Sequence, residues 1–112
     1  MKKKGVSKKA LIICAAGMSS SMMAAKTTDW FKTNNKDYEM DAVSVTEGQK
    51  MIETSDFDLF LISPQTKMYL KKFQATGDKV GKKVVPIPPQ AYVPIPSGVK
   101  NLAEFVLKEM PE

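Results

Sequence analysis

The chain has 112 residues, enough for one hydrophobic core, and its 43% hydrophobic and 26% charged residues are ordinary globular usage. It contains no histidine, and all 17 basic residues are lysine. The first absence excludes Ser–His and Cys–His catalysis, imidazole metal sites and a phosphohistidine. The second excludes guanidinium clamps on phosphate or guanine and arginine-finger chemistry.

The net charge of +5 draws on Lys2, Lys3, Lys4, Lys8 and Lys9 at the amino end. Residues 1–7 read as a flexible basic tail, ahead of a single domain over 8–112. The lysines are not interleaved with aromatic residues, so no nucleic-acid partner is expected. A single cysteine, Cys14, permits no internal disulfide and no cysteine-based zinc site; no metal or cofactor is expected. The opening MKKKGVSKKALIICAAGM imitates a secretory signal, but the apolar run over 10–18 is too short to span a membrane. Ile13 is too bulky for the position before a lipoprotein cysteine, and cleavage there would delete the first strand. A cytoplasmic protein is the expectation.

Lys9 to Cys14 reads as a strand, because a short unbroken apolar run suits a parallel strand buried on both faces. Ala15 to Ser21 has the composition of a tight loop. A helix follows to about Asn34, with Met23, Thr27, Trp30 and Phe31 at helical spacing. Trp30 and the methionines are expected in the core. Met40 to Val45 is the second strand, and Thr46 with Gln49 suggests a capping box for a helix to about Thr54. Phe57 to Ser63 is the third strand, stopped by Pro64. Thr66, Tyr69, Leu70 and Phe73 define a helix face, and Gly77 and Gly81 bracket a lysine-containing loop. Lys83 to Ile87 is the fourth strand. Residues 86–96 carry five prolines and are expected to hold no regular structure. Ser97 can cap a last helix whose apolar face is Val99, Leu102, Ala103, Val106 and Met110.

Strict alternation of strands and helices implies an α/β fold: one four-stranded parallel sheet, order 2-1-3-4, with helices on both faces and right-handed crossovers. Ligands on such sheets bind beyond the carboxyl ends of the strands, at the switch point. Cys14 falls at that edge, together with the loops 14–21, 45–47, 63–66 and 87–97.

Cys14-Ala-Ala-Gly-Met-Ser-Ser-Ser-Met runs from a strand into a helix. Gly17 allows unusual backbone angles, Ala15 and Ala16 leave room, and Ser19, Ser20 and Ser21 offer hydroxyls. Loop amides and a helix amino terminus converging on one point suit an anion, and the same field favours the nucleophilic form of a thiol. A buried structural cysteine before a plain helix cap is the simpler alternative. A phosphatase loop of the form Cys-x5-Arg needs arginine where Ser20 stands, and the facing stretch Pro88-Pro89-Gln90-Ala91-Tyr92 contains no acid to activate water. The pieces fit accepting and holding a phosphoryl group, not hydrolysing it.

The segment Cys14-Ala-Ala-Gly-Met-Ser-Ser-Ser resembles the active-site loop of enzyme IIB subunits of the bacterial sugar phosphotransferase system, lactose/cellobiose/chitobiose class. That family's pattern is approximately Cys-x-x-Gly-Met-Ser-Thr/Ser-Ser. Phe60-Leu61-Ile62-Ser63-Pro64-Gln65 resembles a second family stretch ending Gly-Pro-Gln, with Ser63 in place of the glycine. Pro88-Pro89 occupies the region where the family often has an aspartate, and Tyr92 corresponds to a nearby tyrosine.

The resemblance implies a four-stranded parallel sheet with a phosphatase-like P-loop after the first strand, and a phosphocysteine intermediate on Cys14. The phosphate loop would comprise Ala15, Ala16, Gly17, Met18, Ser19, Ser20, Ser21 and Met22, with Pro64, Gln65 and Tyr92 on neighbouring loops. The phosphoryl group would come from a phosphohistidine on a IIA subunit. It would leave to a sugar, a β-linked disaccharide, held by a IIC membrane permease. The chain would thus be a monomeric phosphotransferase component of sugar transport (class EC 2.7.1.-). Two other readings are a non-catalytic flavodoxin-like binding module and a low-molecular-weight phosphatase or arsenate reductase. The last would need an arginine, an acid and further cysteines.

Overall fold

The computed structural model describes residues 8–15 and 17–110, with the side chains of 17–19 outside that description. The elements, in order, are β1 (Lys8–Cys14), α1 (Gly17–Thr33), β2 (Tyr38–Ser44), α2 (Val45–Thr54), β3 (Leu59–Ile62), a 3-10 helix (Pro64–Tyr69), α3 (Leu70–Val80), β4 (Lys83–Pro86), a second 3-10 helix (Pro89–Ala91) and α4 (Pro96–Glu109). The four strands form one sheet in the order β2-β1-β3-β4, and every pairing is parallel. This is the expected order, with β1 at the switch point. The expected basic tail at 1–7 lies outside the described residues.

Strand alternation sends successive β1 side chains to opposite faces. Ala10 and Ile12 join Met40, Leu59 and Leu61 under α1 and α4, which contribute Met23, Phe31, Leu102 and Val106. Leu11 and Ile13 join Phe60, Ile62 and Val84 under α2 and α3, which contribute Ile52 and Phe73. A strand covered on both sides has no use for polar alternation, which is why Ala10 to Cys14 reads as a continuous apolar run and is buried throughout.

Several expected boundaries move. α1 starts at Gly17 and includes Ser19 to Ser21, whose composition reads as loop. Serine is poor inside helices but favoured in their first turn, where it can satisfy open amides. The capping box at Thr46 and Gln49 is not formed. α2 begins at Val45 behind Ser44, whose Oγ meets Thr46 Oγ1 at 2.6 Å, while Gln49 Nε2 donates to Glu53 at 3.4 Å. α3 runs through Gly77 to Val80, so the expected loop shrinks to the turn at Gly81, which caps the helix with φ of 74°. Gly77 stays in the helix for a packing reason: a Cβ there would lie 2.7 Å from the Lys82 carbonyl oxygen.

α4 starts at Pro96 behind Ile95, which places Ser97 inside the helix rather than at its cap. The proline-rich stretch does hold a short turn of 3-10 helix at Pro89–Ala91. Trp30 is half-buried, with its ring edge-on to Phe31, and Met22 and Met68 are exposed rather than in the core. No helix among the described residues is long and apolar enough to cross a membrane.

Candidate functional site

Cys14 is the last residue of β1, paired in register with Ser44 on β2. The residue is 1% exposed. Only residues 15 and 16 separate it from α1, so the segment expected to be a loop over 15–22 is a two-residue connection followed by helix. The amino terminus of a 17-residue helix with no acid in its first turn therefore starts next to the sulfur. Unpaired amides and the positive end of the helix dipole favour an anion there. Gly17 is the first helical residue.

The sulfur meets a hydroxyl. Cys14 Sγ lies 2.6 Å from Ser20 Oγ, and Ser20 is fully buried. The position that a phosphatase loop fills with arginine is thus occupied by a neutral group turned toward the cysteine.

A second set of hydroxyls holds the strand end. Ser63 N donates to the Ile13 carbonyl oxygen at 3.0 Å, and Thr66 Oγ1 donates to the same oxygen at 3.2 Å. Ser63 Oγ and Thr66 Oγ1 lie 2.9 Å apart, and both residues are buried. The turn 63–66 is therefore bolted to the residue before Cys14. Pro64 within it is half-buried and Gln65 is exposed. In the sequence Ser63 reads as a departure from a family glycine, and Thr66 as one point on a helix face. The available signal was Ser-Pro-x-Thr directly after an apolar strand, the spacing of a hydroxyl-closed turn.

Tyr92 is half-buried and packs on the α1–α4 cluster. Beyond Ser63 lies a groove of about 470 Å³, lined by Pro64, Lys67, Val85, Pro88 and Phe105. The groove also contains Glu109, which is ion-paired with Lys83 at 3.0 Å. Lys26 faces a different cleft, with Asp29, Trp30 and Lys100. Asp56 and Asp58 are tied to Lys9 at the far end of β1, at 3.3 Å and 2.9 Å. Five residues of extended strand put them about 17 Å from Cys14.

A family model described as "PTS system, Lactose/Cellobiose specific IIB subunit" matches residues 9–104. Solved structures that share the fold include two IIB proteins. One is the lactose-specific IIB component domain of the phosphoenolpyruvate:carbohydrate phosphotransferase system from Streptococcus pneumoniae. It has a TM-score of 0.79 and 16% identity, with 92% of this chain and 97% of that one covered. The other is the cellobiose-specific IIB component from Borrelia burgdorferi, with a TM-score of 0.71, 21% identity and coverage of 94% and 93%. No curated protein sequence matches significantly.

Proposed function

The chain belongs to the lactose/cellobiose-specific IIB family of the sugar phosphotransferase system, and from that premise we propose that it carries a phosphoryl group on Cys14. Members of this family serve sugar phosphotransfer and work with IIA and IIC components. The proposed donor here is a IIA phosphohistidine, and the proposed acceptor is a sugar held by a IIC permease, with the IIB chain itself in the cytoplasm. A β-linked disaccharide is the proposed sugar class.

The observation that carries the reading is the placement of Cys14 against the start of α1, at the carboxyl edge of the sheet. Loading is a displacement at phosphorus. The thiol proton leaves to solvent, Sγ attacks the phosphorus, and the phosphorus–nitrogen bond breaks with its electron pair on the imidazole, which takes up a proton. Amides at the start of α1 favour the dianion that results. In the second transfer an acceptor hydroxyl attacks phosphorus and gives its proton to solvent, and the phosphorus–sulfur bond breaks with its electron pair on Sγ.

The same surroundings argue against hydrolysis. Water attack needs a cation on the oxygens and a base to position the water. No arginine exists in the chain, the Asp56–Asp58 pair sits at the other end of the strand, and the acid on the Cys14 edge, Glu47 in the first turn of α2, is exposed to solvent. The phosphocysteine should survive isolation at neutral pH. The test is to incubate the chain with a phosphoenolpyruvate-driven donor chain ending in a IIA phosphohistidine and measure mass on the Cys14 peptide. One phosphoryl group that persists after removal of the donor is expected. No added mass, or loss within seconds, would overturn the reading.

A further inference from the structure

We infer that Ser20 is a positioning residue for Cys14: its hydroxyl fixes the direction of Sγ and supports the negative charge that sulfur takes on when the phosphorus–sulfur bond breaks. The inference rests on the phosphocarrier reading above. Its basis is a contact between two buried side chains from different elements. Sγ stands at the end of β1, Oγ on the fourth residue of α1, and the two lie 2.6 Å apart.

In the thiol form either atom can donate the hydrogen. In the thiolate form sulfur has no hydrogen left, so the Ser20 hydroxyl must be the donor. A buried anion without donors is strongly disfavoured, and a hydrogen bond to a charged acceptor is worth more than a neutral one. The contact joins the first turn of α1 to the last residue of β1.

The two steps of the carrier cycle place charge on sulfur in opposite senses. On loading, Sγ forms the phosphorus–sulfur bond and loses its negative charge. On return to a IIA histidine, the imidazole nitrogen attacks phosphorus, the phosphorus–sulfur bond breaks, its electron pair stays on Sγ, and the imidazole proton leaves to solvent. The returning charge appears at the atom that Ser20 faces. A donor already in place needs no reorganisation at that moment.

The test uses the full chain with Ser20→Ala, which removes one oxygen, and Ser20→Thr, which keeps the hydroxyl. Each is loaded on Cys14 by the donor chain, separated from it, and mixed with dephosphorylated IIA in single-turnover experiments. The expected result for Ser20→Ala is a maximal return rate at least about tenfold lower, with the half-saturating IIA concentration unchanged. Ser20→Thr should recover to within about threefold of the parent. Thermal midpoints report folding separately. A parent-like rate in Ser20→Ala would overturn the inference, as would an equal loss in Ser20→Thr with a matching drop in thermal midpoint. The parent chain reports the underlying reading: if it takes no phosphoryl group, the carrier assignment fails and this inference with it.

Discussion

At its amino end β1 is tied down by carboxylates, and at its carboxyl end by hydroxyls. Lys9 N donates to Asp58 Oδ2 at 2.9 Å, Asp58 N returns a bond to the Lys9 carbonyl at 2.9 Å, and Lys9 Nζ pairs with Asp56. At the other end, Ser63 N and Thr66 Oγ1 hold the Ile13 carbonyl, and Ser20 Oγ meets Cys14 Sγ. Both sets hold the same strand against its neighbours. Only the second would be compatible with the phosphoryl dianion proposed for Cys14. A carboxylate beside Cys14 would repel the dianion and could orient water against it. Charge anchors the amino end and hydroxyls anchor the end beside the sulfur, which is the division the proposed carrier role of Cys14 would require.

The largest effect should come from removing the sulfur. Cys14→Ser should keep the fold and lose phosphoryl transfer by more than about a thousandfold, since a serine hydroxyl without a base is a poor nucleophile near neutral pH. The phosphorylated fraction by mass spectrometry and a far-ultraviolet spectrum check both halves. A variant with full transfer would move the carrier site away from this end of the sheet.

The next effect tests charge directly, by bringing a carboxylate to the hydroxyl end. Ser44 is the register partner of Cys14 and precedes α2 as its N-cap. Aspartate is an equally good N-cap residue, so Ser44→Asp should fold. Its charge beside the sulfur should slow loading by roughly ten- to a hundredfold, and added salt should restore part of the rate. Stopped-flow loading at two ionic strengths measures it. Unchanged loading would show that charge at this end is immaterial, and the contrast between the ends would lose its meaning.

A smaller effect is expected from the anchoring hydroxyl. Thr66→Val keeps the shape and removes the bond to the Ile13 carbonyl, which still accepts from Ser63 N. Stability should fall by about 1 kcal/mol. Transfer should fall by roughly three- to tenfold, because a slightly misplaced nucleophile is costly in rate. Denaturant titration and single-turnover loading separate the two.

Much of this arrangement can be read from the residues. The apolar runs and their alternation with helical stretches give the parallel sheet and its order, and the place of Cys14 at the end of the first run puts it at the carboxyl edge. Long-range contacts are harder. The Thr66–Ile13 bond spans 53 residues and depends on β1 and β3 being neighbours with a set register, which composition does not encode. Ser20 is legible only as the place where an arginine is missing; its contact with sulfur follows from α1 starting at Gly17, five residues before the composition turns helical. Gly77 misleads for a different reason. Glycine ordinarily punctuates, but here tight packing against Lys82 keeps it inside a helix.

The smallest effect belongs to the amino end and is the control for the whole contrast. Asp58→Ala removes the side-chain acceptor of Lys9 N, while the backbone bond from Asp58 N to the Lys9 carbonyl remains. The acceptor is half-buried, so its loss should cost about 1 kcal/mol and lower the thermal midpoint by about 4–6 °C in a domain of this size. Asp56→Ala should cost less, about 0–0.5 kcal/mol, because the Asp56 side chain is 80% exposed and water screens its pair with Lys9. Neither change touches the groups around Cys14, and independent distant sites perturb one another little, so loading rates should stay within about twofold of the parent. Paired measurements on the two variants, thermal midpoint against loading rate, decide the matter. If transfer falls in step with stability, the two ends of β1 are mechanically coupled, and hydroxyl anchoring at Cys14 is not enough to hold the sulfur in place.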